Sequence, residues 1–115
     1  MARIGIRRVY EPPEPADGLR VLVDRLWPRG LSKNAAAVDL WLKAVAPSDK
    51  LRKWFNHDPD RWDDFLKRYR RELEGQTESL EELKRLVRKQ TVTLLYAAKD
   101  EKHNNAVALR ELLSS

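Results

Sequence analysis

Val21-Leu22-Val23-Asp24-Arg25-Leu26-Trp27-Pro28-Arg29-Gly30 decides how this chain is read. Three apolar residues in succession, two of them β-branched, read as a strand buried on both faces. The character then changes at once to an acid, a base, a large aromatic, a proline, a second base and a glycine. Pro28 cannot donate to a sheet and Gly30 permits unusual backbone angles, so a strand over Leu19–Leu26 must end here. Polar loops at the carboxyl ends of buried strands are where open α/β sheets hold ligands.

Outward from that loop, the rest of the chain supplies the other layers. Arg3 to Val9 alternates weakly and predicts a half-exposed strand. Glu11 to Gly18, with Pro12, Pro13 and Pro15, is a turn-rich connector,. It is short for a parallel crossover, which leaves two choices: an antiparallel first strand, or an unusual connecting arm. Ala35–Ala37 suits a short helical turn, and Val38, Leu40 and Leu42 alternate as a short strand. Ser48 is placed as the N-cap of a helix carrying Leu51, Trp54 and Phe55. Asp58-Pro59 opens another, with Trp62, Phe65, Leu66, Tyr69 and Leu73 as its apolar stripe. Gly75 is expected to end it in the left-handed conformation. Thr77 or Ser79 is expected to cap the next helix, which buries Leu80, Leu83, Leu86 and Val87. Thr91–Ala98 reads as the second buried strand, and a last helix starts near Asn105. Strands alternating with helices predict one α/β domain over residues 1–115, with a small, largely parallel sheet flanked by helices.

Composition narrows the function. The chain has no cysteine, which excludes disulfides, a thiolate nucleophile and a cysteine-ligated metal,. No apolar run has the length of a membrane span, and Met1 to Arg8 lacks the apolar core of a signal peptide. The expectation is a cytoplasmic protein without a membrane partner. The formal charge of +5 suits an anionic partner, yet 36% of residues are charged and acids interleave with bases. A mixed, solvated surface explains the same numbers.

Further stretches bear on identity: Ala46-Pro47-Ser48, Leu51-Arg52-Lys53-Trp54-Phe55, His57-Asp58-Pro59, Leu95-Tyr96-Ala97-Ala98-Lys99-Asp100 and His103-Asn104-Asn105-Ala106. With the opening stretch they resemble the YeaO-like branch of the domain-of-unknown-function family 488, over nearly the whole chain. The resemblance implies a three-layer, Rossmann-like α/β fold and carries no activity with it. Longer relatives tend to place a cysteine near the position of Ala98; alanine stands here, so thiol chemistry is not implied.

Two constellations can carry chemistry. Asp24, Arg25, Arg29 and Lys33 follow the central strand. Guanidinium forks and an ammonium suit phosphate or carboxylate, and Asp24 can position a base or a water. The competing reading is an Asp24–arginine salt bridge that fixes the turn. Lys99, Asp100, His103, Asn104 and Asn105 precede the last helix. Its N-terminus beside Lys99 can meet an anion, and His103 can move a proton near neutral pH. The competing reading is a helix cap with an exposed histidine. If the two strands are parallel neighbours, Asp24, Arg25, Arg29, Lys99 and His103 share one cleft.

Other features are weaker. His57, Asp58, His103 and Asp24 lack the close spacing of a metal site, and no metal or cofactor is expected. Trp27 or Trp41 can stack a nucleotide or pack inside. Lys67, Arg68, Arg70 and Arg71 can track a phosphate backbone or pair with Asp63, Asp64 and Glu74. Three functions follow. One is an enzyme acting on an anionic small molecule, held by Arg25, Arg29 and Lys99, with Asp24 or His103 transferring a proton. The second is a nucleotide- or nucleic-acid-binding module using the same loop and Trp27. The third is a structural domain whose polar loops only stabilise turns.

Overall fold

The structure, a computed structural model, describes residues 4–114. Four strands form one parallel sheet: β1 (Ile4–Arg8), β2 (Leu19–Leu22), β3 (Leu40–Trp41) and β4 (Val92–Tyr96). Their order is β1-β4-β2-β3. The helices are α1 (Lys33–Ala36), α2 (Asp49–Phe55), α3 (Trp62–Glu74), α4 (Thr77–Lys89) and α5 (Asn105–Ser114). The α/β class is as the sequence predicts. Met1 to Arg3, which carry the start of the first expected strand and part of the leader reading, lie outside the described residues. Among the described residues no helix is long and apolar enough to cross a membrane.

The connecting arm, not an antiparallel first strand, is what the chain uses. β1 and β2 both run parallel to β4 and sit on either side of it. The chain moves outward from β1 to β2 to β3, then returns to β4. Right-handed crossovers put outward connections on one face of a sheet and the return on the other. Packing agrees. Leu22 and Leu95 meet Ala36 of α1, with Trp27 and Trp41 against them. Val21, Val92 and Leu94 meet Phe65, Leu83 and Leu109 on the opposite face, where α2 to α5 gather. The layers are therefore unequal: four helices cover one face, and α1 with the connecting loops covers the other.

Alternation along β4 explains why all five of its residues are buried. Val92, Leu94 and Tyr96 enter the larger core, and Leu95 enters the smaller one. β2 is shorter than expected and stops at Leu22, because Asp24 turns away: its carbonyl accepts from Trp41 Nε1 at 2.7 Å.

The expected start of α2 is present. Ser48 Oγ accepts from the Leu51 N–H at 3.1 Å, while Glu72 Oε1 accepts the Ser48 N–H at 2.8 Å. Asp58 caps the turn Pro59–Arg61 that leads into α3, accepting from the Asp60 N–H at 3.0 Å. Two expectations fail between α3 and α4. Gly75 has φ −85°, so no left-handed cap forms; its N–H still reaches the Glu72 carbonyl at 3.0 Å. Neither Thr77 nor Ser79 caps α4, which Gln76 precedes without a side-chain bond. The Thr77 hydroxyl instead donates to the Glu74 carbonyl at 3.1 Å, closing the end of α3.

Candidate functional site

β2 and β4 are parallel neighbours, and their following segments leave toward opposite faces: β2 toward α1, β4 toward α5. Strands whose connections diverge open a crevice between them at their carboxyl ends. A cleft of about 350 Å³ lies there. Asp24, Arg25, Trp27, Arg29, His103, Asn104 and Asn105 all line it. Lys33, Lys99 and Asp100 do not. Lys33 is carried off by α1, Lys99 is exposed, and Asp100 is spent on folding its own loop.

Asp24 sits half-buried in this cleft. One carboxylate oxygen accepts from the Ala97 N–H at 2.9 Å, the other from Asn105 Nδ2 at 2.7 Å. Asn105 Nδ2 also reaches the Val23 carbonyl at 2.7 Å. The expected alternative, an Asp24–arginine salt bridge, is not what holds the turn; neutral amides hold it. Burial pushes the Asp24 carboxyl above its ordinary value, and the Asn105 and Ala97 bonds and the Arg52 charge oppose that only in part.

The start of α5 is already occupied. Asn104 Oδ1 accepts from the Val107 N–H at 2.9 Å, the N-cap geometry, and Asn105 spends its amide on Asp24,. The chain's own Asp24 carboxylate thus stands beside this helix end. Asp100 holds the loop by accepting from the Lys102 and His103 N–H groups at 2.9 and 3.0 Å. Those two bonds and the His103 ring outweigh partial burial and lower its carboxyl. His103 Nδ1 lies 3.1 Å from Asp100 Oδ2, and its ring meets Trp62 edge-on at 5.3 Å.

The cations behave differently. Arg25 and Arg29 are exposed at the cleft, and among the described residues neither pairs with a carboxylate. Arg25 Nε makes a long bond of 3.3 Å to the Pro47 carbonyl. Tyr10 donates from its hydroxyl to the Arg29 carbonyl at 3.0 Å, fastening the loop to the end of β1. Trp27 has its indole N–H satisfied by the Leu31 carbonyl at 2.7 Å, and its ring lines the cleft. Trp41 packs inside against it, 5.4 Å between rings. Arg68 of the basic stretch lies over the Trp54 ring at 4.2 Å.

Tyr10, Arg52, Phe55, His57 and Phe65 also line the cleft and were not assigned to it from sequence. Tyr10 had a usable signal, since a third parallel strand ends at the same edge. Arg52, Phe55 and Phe65 had none, because they reach the cleft from helix faces that read as surface or core. His57 stands with Asn56 in the left-handed region, φ 54° and 48°, a turn that carries it to the rim,. No cluster of three or more metal-ligating side chains occurs among the described residues.

A family model described as the inactive DUF488-N3 subclade matches residues 3–115. An uncharacterized protein of Mycobacterium tuberculosis H37Rv is 43% identical over 97% of this chain and 94% of its own. The uncharacterized protein YeaO of Escherichia coli K12 is 42% identical over 97% of both chains. No solved structure matches significantly. With its whole described length matched in this way, the chain belongs to the YeaO-like DUF488 family.

Proposed function

We propose that the cleft binds a small phosphorylated or otherwise anionic ligand, with Arg25 and Arg29 as its anion holders. The observation that carries this reading is their pairing state. Two guanidiniums stand at a switch-point hollow, and among the described residues neither is ion-paired with a carboxylate,. Arg52 adds a third cation at the same rim, though it is shared with Asp49 at 3.2 Å. The volume of about 350 Å³ lies within the range of small-molecule sites,. Binding without turnover is the version we favour, since the matching family model is described as inactive. A cysteine-free chain with such a cleft suits the cytoplasm,.

Thermal denaturation with inorganic phosphate, sugar phosphates, nucleotides and short oligonucleotides tests the reading. A ligand at a hundred times its dissociation constant stabilises the native state by about 2.7 kcal/mol. The expected result is a concentration-dependent rise in Tm that the double variant Arg25→Ala/Arg29→Ala abolishes. No rise with any of these, or a rise indifferent to both arginines, refutes it. Binding that grows with oligonucleotide length and falls steeply with salt selects the nucleic-acid alternative.

The enzyme reading keeps one supporting contact, the 3.1 Å approach of His103 Nδ1 to Asp100. A carboxylate so placed orients an imidazole for proton transfer. Turnover of a bound compound, lost in His103→Ala without loss of binding, would favour it.

A further inference from the structure

We infer that the floor of the cleft is a cation subsite, so that its ligand is a zwitterion: a protonated amine on a flat or apolar body that also carries the anion. This rests on the anion-binding reading of the rim and adds the other end of the molecule.

The argument starts from Asp24. Its two oxygens accept one bond each, both from neutral amide donors, Ala97 N–H and Asn105 Nδ2. A carboxylate oxygen can accept a second bond, so acceptor capacity remains on both. Among the described residues no lysine, arginine or histidine pairs with it, although Arg25 is its neighbour in sequence. Arg25 instead reaches the Pro47 carbonyl, and Arg52 reaches Asp49. The chain therefore keeps its own cations at the rim: Arg52 attracts the half-buried carboxylate from beyond ion-pair distance, and no cation contacts it among the described residues. A charge withdrawn from water is costly until an opposite charge meets it. The start of α5 supplies about half a charge of the right sign. The upward displacement of the Asp24 carboxyl reflects burial that outweighs the Asn105 and Ala97 bonds and the attraction of Arg52.

The walls suit the same guest. Phe55 and Phe65, 4.5 Å apart between ring centroids, line the cleft together with Trp27. Aromatic rings beside a carboxylate favour an ammonium group and also accept a flat body. Tyr10 and Leu26 are the large hydrophobic side chains left exposed among the described residues, at 40% and 59%, and both line the cleft. An apolar lip there favours a ligand with an apolar body over a bare inorganic anion.

Calorimetric titration of the unmodified chain with matched pairs tests the inference. Pyridoxamine 5′-phosphate and pyridoxine 5′-phosphate share ring and phosphate and differ by an ammonium against a hydroxyl. Glucosamine 6-phosphate and glucose 6-phosphate repeat the contrast on a saturated ring. The amine is expected to bind at least about tenfold more tightly near neutral pH, as a charge-assisted contact would give. Arg25→Ala/Arg29→Ala should weaken both members of a pair alike, and Asp24→Asn should erase the difference between them. Because Asp24→Asn disturbs the Ala97 and Asn105 bonds and can fail to fold, the wild-type pairs decide. Phosphate compounds that bind without any preference for the amine overturn the cation subsite and leave the anion site standing. If neither pair nor inorganic phosphate binds, both fall together.

Discussion

The two ends of β2 carry the same kinds of side chain and use them in opposite ways. At the amino end, Asp17 and Arg20 are buried at 5% and 4% exposure and 2.6 Å apart. Arg20 also donates to the Ala36 and Ala37 carbonyls, both at 3.0 Å, and Thr93 Oγ1 donates to the Asp17 carbonyl at 2.7 Å. Arg7, Glu11 and Glu14 extend the network, with Arg7 Nε buried 3.6 Å from Asp17 Oδ1, an ion pair without a hydrogen bond. At the carboxyl end, Asp24 and Arg25 are adjacent in sequence and do not pair, and the acid and the rim cations line one hollow without an ion pair between them. Charges satisfied internally serve the fold; charges left unsatisfied around a cavity are available to a guest.

The largest expected break in this contrast comes from the closed end. Asp17→Ala or Arg20→Ala strands a buried partner and should cost about 3–5 kcal/mol in urea unfolding. A loss below ~1 kcal/mol would show that the network is not what holds this end. The glycines bracketing β2 give the next difference. Gly18 has φ +63°, and a Cβ there would sit 2.4 Å from the Thr91 carbonyl oxygen; Gly30 has φ +76° with nothing within 4 Å. Gly30→Ala should cost only the left-handed penalty of about 1–2 kcal/mol. Gly18→Ala should add a clash of about 1–3 kcal/mol. Equal losses would erase the distinction.

Legibility in the sequence followed the same division. Val21–Val23 and Val92–Tyr96 announced themselves because burial on both faces requires continuous apolar runs. Ser48 and Asp58 announced helix starts because a cap is a local contact. The strand order was not readable, since it depends on which face each crossover takes. Gly75 and Thr77 misled for a related reason: the junction of two helices chose its bonds through tertiary packing. The candidate site was half visible. Asp24, Arg25 and Arg29 stood on a strand-end loop, whereas Arg52 and Phe65 reach the cleft from helices 28 and 41 residues beyond Asp24.

Smaller effects sharpen the open end. Asn105→Ala leaves Asp24 with one donor and frees the Val23 carbonyl, which should cost about 1–3 kcal/mol by denaturant unfolding. Acid separates the ends by sign. Burial raises the Asp17 carboxyl, but the Glu14 N–H, Arg20 and Arg7 more than reverse this and hold it below 3.8. Its contribution is complete above the unfolded value and disappears as pH falls through the lowered one. Asp24 runs the other way: stability declines as pH climbs from 3.8 through its raised value,. Unfolding measured across acid pH should therefore lose part of its acid-side slope in Asp17→Asn. An unchanged slope would show that Asp17 is not a source of it. Least of all, Arg29→Ala should change stability by less than ~0.5 kcal/mol, as for an exposed side chain with no partner. A larger loss would mean that this guanidinium serves the fold after all.

The bonds to Asp24 span 73 and 81 residues of chain, to Ala97 and to Asn105. During synthesis β2 leaves the ribosome long before either donor exists. The hollow is consequently among the last features to be assembled, and any compound that occupies it would report on chains whose folding is finished.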